Sequence, residues 1–160
     1  KKEVMVNNLC DIGIETFKSH QHLIGDPVLE KRASHVISEN ARVNEAAAAL
    51  KEGKLQEFGQ LMYDSHQSLK ELYEVSGIEL DTIVEFCRVY DNCLGARMTG
   101  AGFGGCAIAL VRNDSLDDFS SRLREYYLEE IGYSPTTFPS DAADGVREIQ
   151  AERQQQESSK

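Results

Sequence analysis

The sequence lacks the features that mark membrane and secreted proteins. No apolar run in its 160 residues approaches the roughly 20 that a bilayer-spanning helix needs, and no basic segment followed by an apolar stretch stands at its start. Cations are also few, since 17 Lys and Arg against 27 Asp and Glu give a formal net charge of −10. Because this acidic balance disfavours non-specific binding to nucleic acid or anionic membranes, we expect neither as a partner.

Cysteine is scarce and follows no ligand or redox pattern. The four cysteines are Cys10, Cys87, Cys93 and Cys106. None forms a CxxC pair, and each lies in an apolar stretch, which favours buried free thiols over disulfides and a reducing, cytoplasmic compartment. The four histidines show no metal-ligand spacing with these cysteines, so the sequence predicts no metal site.

The rest of the composition is ordinary for a globular protein, with 41% hydrophobic and 28% charged residues. We expect residues 1–149 to form one domain and residues 150–160, which are polar and rich in glutamine, to form a disordered tail. The first residue, Lys1, is not a methionine. We therefore expect the chain to be part of a longer protein.

Apolar periodicity predicts mostly helices, then strands. Asp26 and Pro27 resemble an N-cap and a first helical residue, and Gly53 a helix stop. Ser115 and Asp118 fit a capping box, and Gly132 ends the helix that follows. In chain order, we expect a short helix within residues 1–25 and helices over about 27–52, 54–72, 79–90 and 116–131. We also expect an alternating strand over about 94–98, a continuous buried strand over 106–111, and short strands at 136–138 and 146–149.

Helices grouped before a strand–loop–strand unit indicate an α+β fold, with an antiparallel sheet covered on one face by helices. The loop between the two predicted strands is the most distinctive part of the sequence, with four glycines in six residues. The candidate site residues are Thr99, Gly100, Ala101, Gly102, Phe103, Gly104, Gly105 and Cys106. Glycine permits positive φ and close backbone approach, so this loop is a candidate anion-binding nest of backbone N–H groups, with phosphate as the first ligand to consider.

Known glycine motifs do not fit this context. The GxGxxG of dinucleotide-binding proteins must open a helix, whereas here a strand follows. No Lys-Ser/Thr follows the glycines as in a Walker A loop, and no lysine stands on the next strand as in protein kinases. A glycine-rich hairpin used only for tight packing remains an alternative. Arg97, just before the loop, is either an added cation for a ligand or a solvated side chain.

Three separated stretches resemble the GHMP small-molecule kinases in their galactokinase form. Residues 94–106, L-G-A-R-M-T-G-A-G-F-G-G-C, resemble the third conserved motif of that family. Residues 35–43 resemble its long-helix segment, and residues 65–81 its next helix and the following loop. The resemblance covers about residues 22–149. Within the family, Phe103 and the Tyr-Glu-Val-Ser segment at 73–76 favour the galactokinase form.

The resemblance implies a ferredoxin-like C-terminal domain of an enzyme that transfers the γ-phosphoryl group of ATP, with Mg²⁺, to the C1 hydroxyl of galactose. It also implies that the sugar motif, the phosphate loop and the catalytic aspartate lie in an N-terminal half, because none is found here. We therefore assign no catalytic residue to this chain and expect residues 99–106 to line the nucleotide and substrate cleft. ATP and Mg²⁺ would be bound mainly by the N-terminal half.

Two consequences and two alternatives follow from the same resemblance. The chain alone would be inactive, and it would be able to dimerise non-natively through the surface that the N-terminal half covers. The alternatives are a galactokinase-like sugar sensor or transcriptional regulator, and another GHMP kinase acting on mevalonate, homoserine or a different sugar. We expect Glu39, Asn40 and Arg42 to tie helices together by hydrogen bonds rather than to contact substrate. Tyr73 and Glu74 lie in a loop that could approach the cleft, but we expect them to pack within the domain, and in Asp81 we expect a first-turn helix charge rather than a base.

Overall fold

The computed structural model describes residues 6–141. The helices are α1 (Ile14–His20), α2 (Pro27–Lys51), α3 (Leu55–Ser68), α4 (Ile78–Val89) and α5 (Leu116–Ile131). A π-helical turn, Leu69–Tyr73, extends α3, and short 3₁₀ turns occupy Leu9–Asp11, Gln21–Leu23 and Asn113–Ser115. The strands are β1 (Cys93–Thr99) and β2 (Cys106–Val111). In this part of the chain no helix is long and apolar enough to cross a membrane.

The start and end of α2 confirm the sequence prediction. The Asp26 carboxylate accepts hydrogen bonds from the backbone N–H groups of Val28 (2.8 Å) and Leu29 (3.2 Å), and Pro27 is the first helical residue. Gly53 follows the helix with φ +70°, the left-handed conformation that a glycine adopts without strain. Local sequence alone therefore determines where the longest helix begins and ends.

Helix α3 lies directly against β1, and two glycines allow the approach. A Cβ at Gly59 would be 1.9 Å from the carbonyl oxygen of Leu94, and a Cβ at Gly95 would be 2.4 Å from the Cα of Gly59. No side chain fits between these backbones. This contact fixes β1, and with it the loop that follows, relative to α3.

The two strands form an antiparallel pair in which Arg97 faces Ile108 and Thr99 faces Cys106. One face of the pair covers the main core, and α4 and α5 contribute most of that core. Its buried members are Tyr63, Val84, Phe86, Cys87, Tyr90, Cys93, Ala96, Phe119 and Leu123. The predicted α+β architecture, an antiparallel sheet with helices on one face, is thereby confirmed.

The prediction that β2 is buried throughout is wrong. None of its residues is fully buried and Ile108 is 52% exposed, because helices cover only the face that carries Ala107, Ala109 and Val111. The four cysteines are free, as predicted, but only Cys87 and Cys93 are buried. Cys106 is exposed because it begins β2 at the edge of the glycine loop.

Two further predictions fail at the end of the described chain. Residues 136–138 form no strand, and Phe138 is 83% exposed; Pro135 and Pro139, which flank the segment, have no N–H to donate to a sheet. Ser115 and Asp118 form no capping box, because the Ser115 hydroxyl donates to Asp114 while the Asp118 carboxylate accepts the Tyr90 hydroxyl at 2.6 Å. The predicted strand at 146–149 and the tail at 150–160 lie outside the described residues.

Candidate functional site

The glycine loop between β1 and β2 has a succession of left-handed residues. The φ angles are +74° at Gly100, +84° at Gly102, +55° at Phe103 and +83° at Gly104. A left-handed conformation costs a residue with a Cβ about 1–2 kcal/mol, and glycine avoids that cost. Three glycines therefore permit the loop path, while Phe103 is held in a strained conformation by the contacts around it.

The main contact that holds the loop is with the segment before α4. The Phe103 backbone N–H donates to the carbonyl oxygen of Val75 at 2.8 Å. A Cβ at Gly102 would lie 2.0 Å from that same oxygen and 2.9 Å from the Met98 Cε atom. Gly102 is thus required by close packing within the domain, so the packing alternative accounts for this one glycine.

Gly100 and Gly104 are less restricted than Gly102, whereas a Cβ at Gly105 would lie 3.1 Å from the Gly102 carbonyl oxygen. A Cβ at Gly100 would meet nothing within 4 Å, and one at Gly104 would meet only the Glu79 side chain, at 3.5 Å. Among residues 6–141, the amides of Ala101 and Gly104 donate to no backbone carbonyl, and both residues are exposed. These amides are free to bind a ligand, as a backbone nest requires.

The surroundings of the loop are apolar on one side and acidic on another. The Phe103 ring is 76% exposed, and Ile78, at the start of α4, is 66% exposed. The Glu79 carboxylate next to Gly104 places negative charge there, so an anionic ligand would be favoured at the Gly100–Ala101 end of the loop. Within the described part of the chain no cluster of three His, Cys, Asp or Glu is placed to hold a metal ion.

The segment that receives the loop is itself fixed by charges on α2. Glu74 is left-handed (φ +61°), and its carboxylate binds Arg32 at 2.6 Å and Lys31 at 3.2 Å. The hydrogen bond from Arg32, followed by that from Lys31, lowers the pKa of Glu74. The Tyr73 ring packs against the His35 ring with centroids 4.8 Å apart. The structural roles predicted for Tyr73 and Glu74 are the ones the structure shows.

Arg97 does not reach the loop as a free cation. Its Nε–H donates to the Met98 carbonyl at 3.0 Å, and its guanidinium pairs with the Glu39 carboxylate at 3.4 Å. Glu39 also binds Arg42 and accepts the Ser65 hydroxyl, so it joins α2, α3 and β1. Glu39 therefore links elements as predicted, whereas Arg42 pairs only with Glu39 on the same helix and Asn40 donates to the Cys10 carbonyl at 3.4 Å.

One buried side chain near the loop was not singled out from the sequence. His66 on α3 is 2% exposed, and its Nδ1 accepts the Met98 backbone N–H at 3.2 Å. Its Nε2 lies 3.1 Å from an Asp81 oxygen, and the second Asp81 oxygen is 3.0 Å from the Lys70 ammonium. Burial lowers the pKa of His66 from its ordinary 6.5, although the Asp81 carboxylate opposes the shift. Asp81 is therefore more than a first-turn helix charge. The sequence feature that could have identified His66 is a single histidine on the apolar face of a predicted helix.

Comparison with known proteins agrees with the architecture. The family model "GHMP kinases C terminal" matches residues 46–129, more than half of the chain. The galactokinases of Enterococcus faecalis and Staphylococcus carnosus are each 49% identical over 149 residues, which is 93% of this chain and 38% of each relative. The chain therefore spans little more than a third of the length of these relatives.

Solved structures show the same relationship. Lactococcus lactis galactokinase, in a complex with galactose, superposes with a TM-score of 0.80 and 46% identity, over 82% of this chain and 34% of that one. L. major mevalonate kinase, in a complex with R-mevalonate, gives a TM-score of 0.53 and 30% identity, over 79% of this chain and 37% of that one. The family match and the shared fold together show that the chain belongs to the GHMP kinases, as their C-terminal domain.

Proposed function

We propose that this chain is the C-terminal part of a galactokinase, which transfers the γ-phosphoryl group of ATP to the C1 hydroxyl of galactose. The observation that carries the proposal is the graded similarity to two kinases of one family. The galactokinase complexed with galactose has both the higher TM-score (0.80 against 0.53) and the higher identity (46% against 30%) than the mevalonate kinase. We therefore propose galactose, rather than mevalonate, as the substrate.

Within that enzyme, we propose that residues 99–106 form one wall of the cleft for nucleotide and sugar. The support is the exposed backbone around Gly100 and Ala101, together with the close packing that fixes Gly102 and Phe103 against Val75. Phosphoryl transfer depends mainly on positioning and on charge stabilisation around the transferred group. A rigid loop with free amides supplies positioning without any acid, base or nucleophile.

The rest of the machinery is proposed to lie outside this chain. Magnesium, when bound with ATP, neutralises phosphate charge during transfer. Residues 6–141 offer no cluster for the metal, so its ligands would be the phosphates and residues of the longer protein. The same holds for the catalytic base. The free thiols fit the proposed cytoplasmic location.

The test is a substrate panel on the full-length protein that carries this chain. ADP release is measured with ATP and, in turn, galactose, mevalonate and homoserine. We expect turnover with galactose, none with the other two, and none with any substrate for the 160-residue chain alone. Absence of galactose turnover in a folded full-length protein that still binds galactose would favour the sensor alternative. Turnover with mevalonate or homoserine instead would favour another GHMP kinase, and activity of the chain alone would refute the placement of the catalytic groups.

A further inference from the structure

His66 has both ring nitrogens in use, and its partners define its protonation. The Met98 backbone N–H is only a donor, so Nδ1, 3.2 Å away, must present a lone pair. The proton therefore lies on Nε2, which donates to the Asp81 carboxylate at 3.1 Å. This imidazole is neutral, 2% exposed and fully engaged, so it has no nitrogen left for a substrate.

The partners of His66 lie on the two sides of the glycine loop. Met98 immediately precedes Thr99, where β1 ends, and its Cε atom is 2.9 Å from the position that a Cβ at Gly102 would take. Asp81 lies in the first turn of α4, two residues after Glu79, whose carboxyl group borders Gly104. One buried ring thus joins the strand that enters the loop to the helix that the loop packs against.

The charges around the ring favour this arrangement at neutral pH. Asp81 faces Nε2 from α4, and Lys70, from the turn after α3, binds the second Asp81 oxygen at 3.0 Å and Glu85 at 3.4 Å. Lys70 and Arg88 both disfavour a charged imidazole, and burial does so most strongly. A second proton, on Nδ1, would also remove the acceptor of the Met98 N–H and place two hydrogen-bond donors against each other.

We propose that His66 is a positioning residue for the glycine loop: its neutral ring sets the distance between the end of β1 and the first turn of α4, and so the place of residues 99–106 in the cleft. For turnover, this rests on the proposed galactokinase function. For the position of the loop, it rests on the contacts of this domain alone.

Two substitutions separate positioning from simple packing. In His66→Asn the side-chain oxygen takes a place close to that of Nδ1, so the acceptor for Met98 is kept and the Asp81 contact is lost. In His66→Gln the amide nitrogen reaches toward the Nε2 place, so the Asp81 contact is kept and the Met98 acceptor is lost. Both replace the ring with a smaller, uncharged amide, and each serves as the control for the other.

The experiment uses the full-length protein and two readouts. Amide hydrogen exchange over residues 98–106 should be about tenfold faster in His66→Gln than in His66→Asn, since one hydrogen bond to the strand is lost. The kcat for galactose phosphorylation should be about tenfold lower or more in His66→Gln than in His66→Asn, because misplacement by about an ångström is costly to catalysis. Equal values, or a greater loss in His66→Asn, would overturn the proposal.

Two further results keep the proposal testable. If the wild-type protein does not phosphorylate galactose, the proposed function fails, and the exchange difference alone decides the positioning role. If neither variant folds, the ring nitrogens of His66 in the wild-type protein are observed by ¹⁵N NMR. A proton on Nε2 with a bare Nδ1 at neutral pH supports the proposal, and a proton on Nδ1 overturns it.

Discussion

Replacing Gly102 by alanine tests whether the loop is fixed by backbone contact with Val75. The added Cβ would lie 2.0 Å from the Val75 carbonyl oxygen, far inside ordinary contact distance. Relief requires the two backbones to separate by more than about an ångström, which breaks the 2.8 Å hydrogen bond from Phe103 to Val75. Gly100→Ala is the matched control, because φ is also positive there but a Cβ would meet nothing within 4 Å.

The magnitudes can be worked from these contacts. A left-handed alanine costs about 1–2 kcal/mol in either variant. Loss of the Phe103–Val75 hydrogen bond adds about 0.5–1.5 kcal/mol in Gly102→Ala only. We therefore expect a free energy of unfolding lower by about 1.5–3.5 kcal/mol in Gly102→Ala and by about 1–2 kcal/mol in Gly100→Ala.

The assay is urea denaturation of the full-length protein, followed by kinetics at a temperature where both variants are folded. The kcat with galactose should be on the order of 10² lower in Gly102→Ala, because the loop is displaced. If the two variants have the same unfolding midpoint and the same kcat, contact with Val75 does not fix the loop and the reasoning is refuted.

Three other predictions concern the contact between α3 and β1, the buried histidines and the charge of Glu79. Gly59→Ala should destabilise the protein by about 3 kcal/mol or more, since its Cβ would lie 1.9 Å from the Leu94 oxygen. Gly13→Ala, where a Cβ meets nothing within 4 Å, should cost under about 1 kcal/mol in the same denaturation assay. Equal costs in the two variants would contradict the close contact at Gly59. Burial lowers the pKa of His35 as well as that of His66, so stability should be constant above pH 6.5 and fall as the pH drops toward the lowered values. Denaturation midpoints from pH 8 to 5 check this: His35→Gln should flatten the decline, and an unchanged slope would contradict the assignment. Glu79→Gln should lower the KM for ATP by roughly two- to fivefold, since a negative charge next to Gly104 is removed, whereas an unchanged KM would place the phosphates elsewhere.

The elements that local chemistry determines were predictable from the sequence. Asp26, Pro27 and Gly53 mark the limits of α2 by capping and backbone preference alone, and the limits of β2 follow from its apolar run. The burial of β2 was not predictable, because it depends on which face the helices cover. The prediction of a capping box at Ser115 failed because Tyr90, which is distant in sequence, donates a hydrogen bond to Asp118.

The candidate site was only partly predictable for the same reason. Density of glycine marks the loop, but it does not distinguish Gly102, which packs against Val75, from Gly100, which has open space. Nor does the sequence show that Arg97 is paired with Glu39, or that His66 joins Met98 to Asp81. These contacts link residues that are 15 to 58 positions apart in the chain.

The central claim is that residues 99–106 form one wall of a galactokinase cleft. Hydrogen exchange of the full-length protein, with and without galactose and a non-hydrolysable ATP analogue, tests it most directly. We expect ligands to slow exchange at Gly100, Ala101 and Gly104, which are exposed residues whose amides donate to no backbone carbonyl among residues 6–141. Phe103 should change little, because its amide is already bonded to Val75. Protection elsewhere in the protein with none at these three amides would contradict the claim.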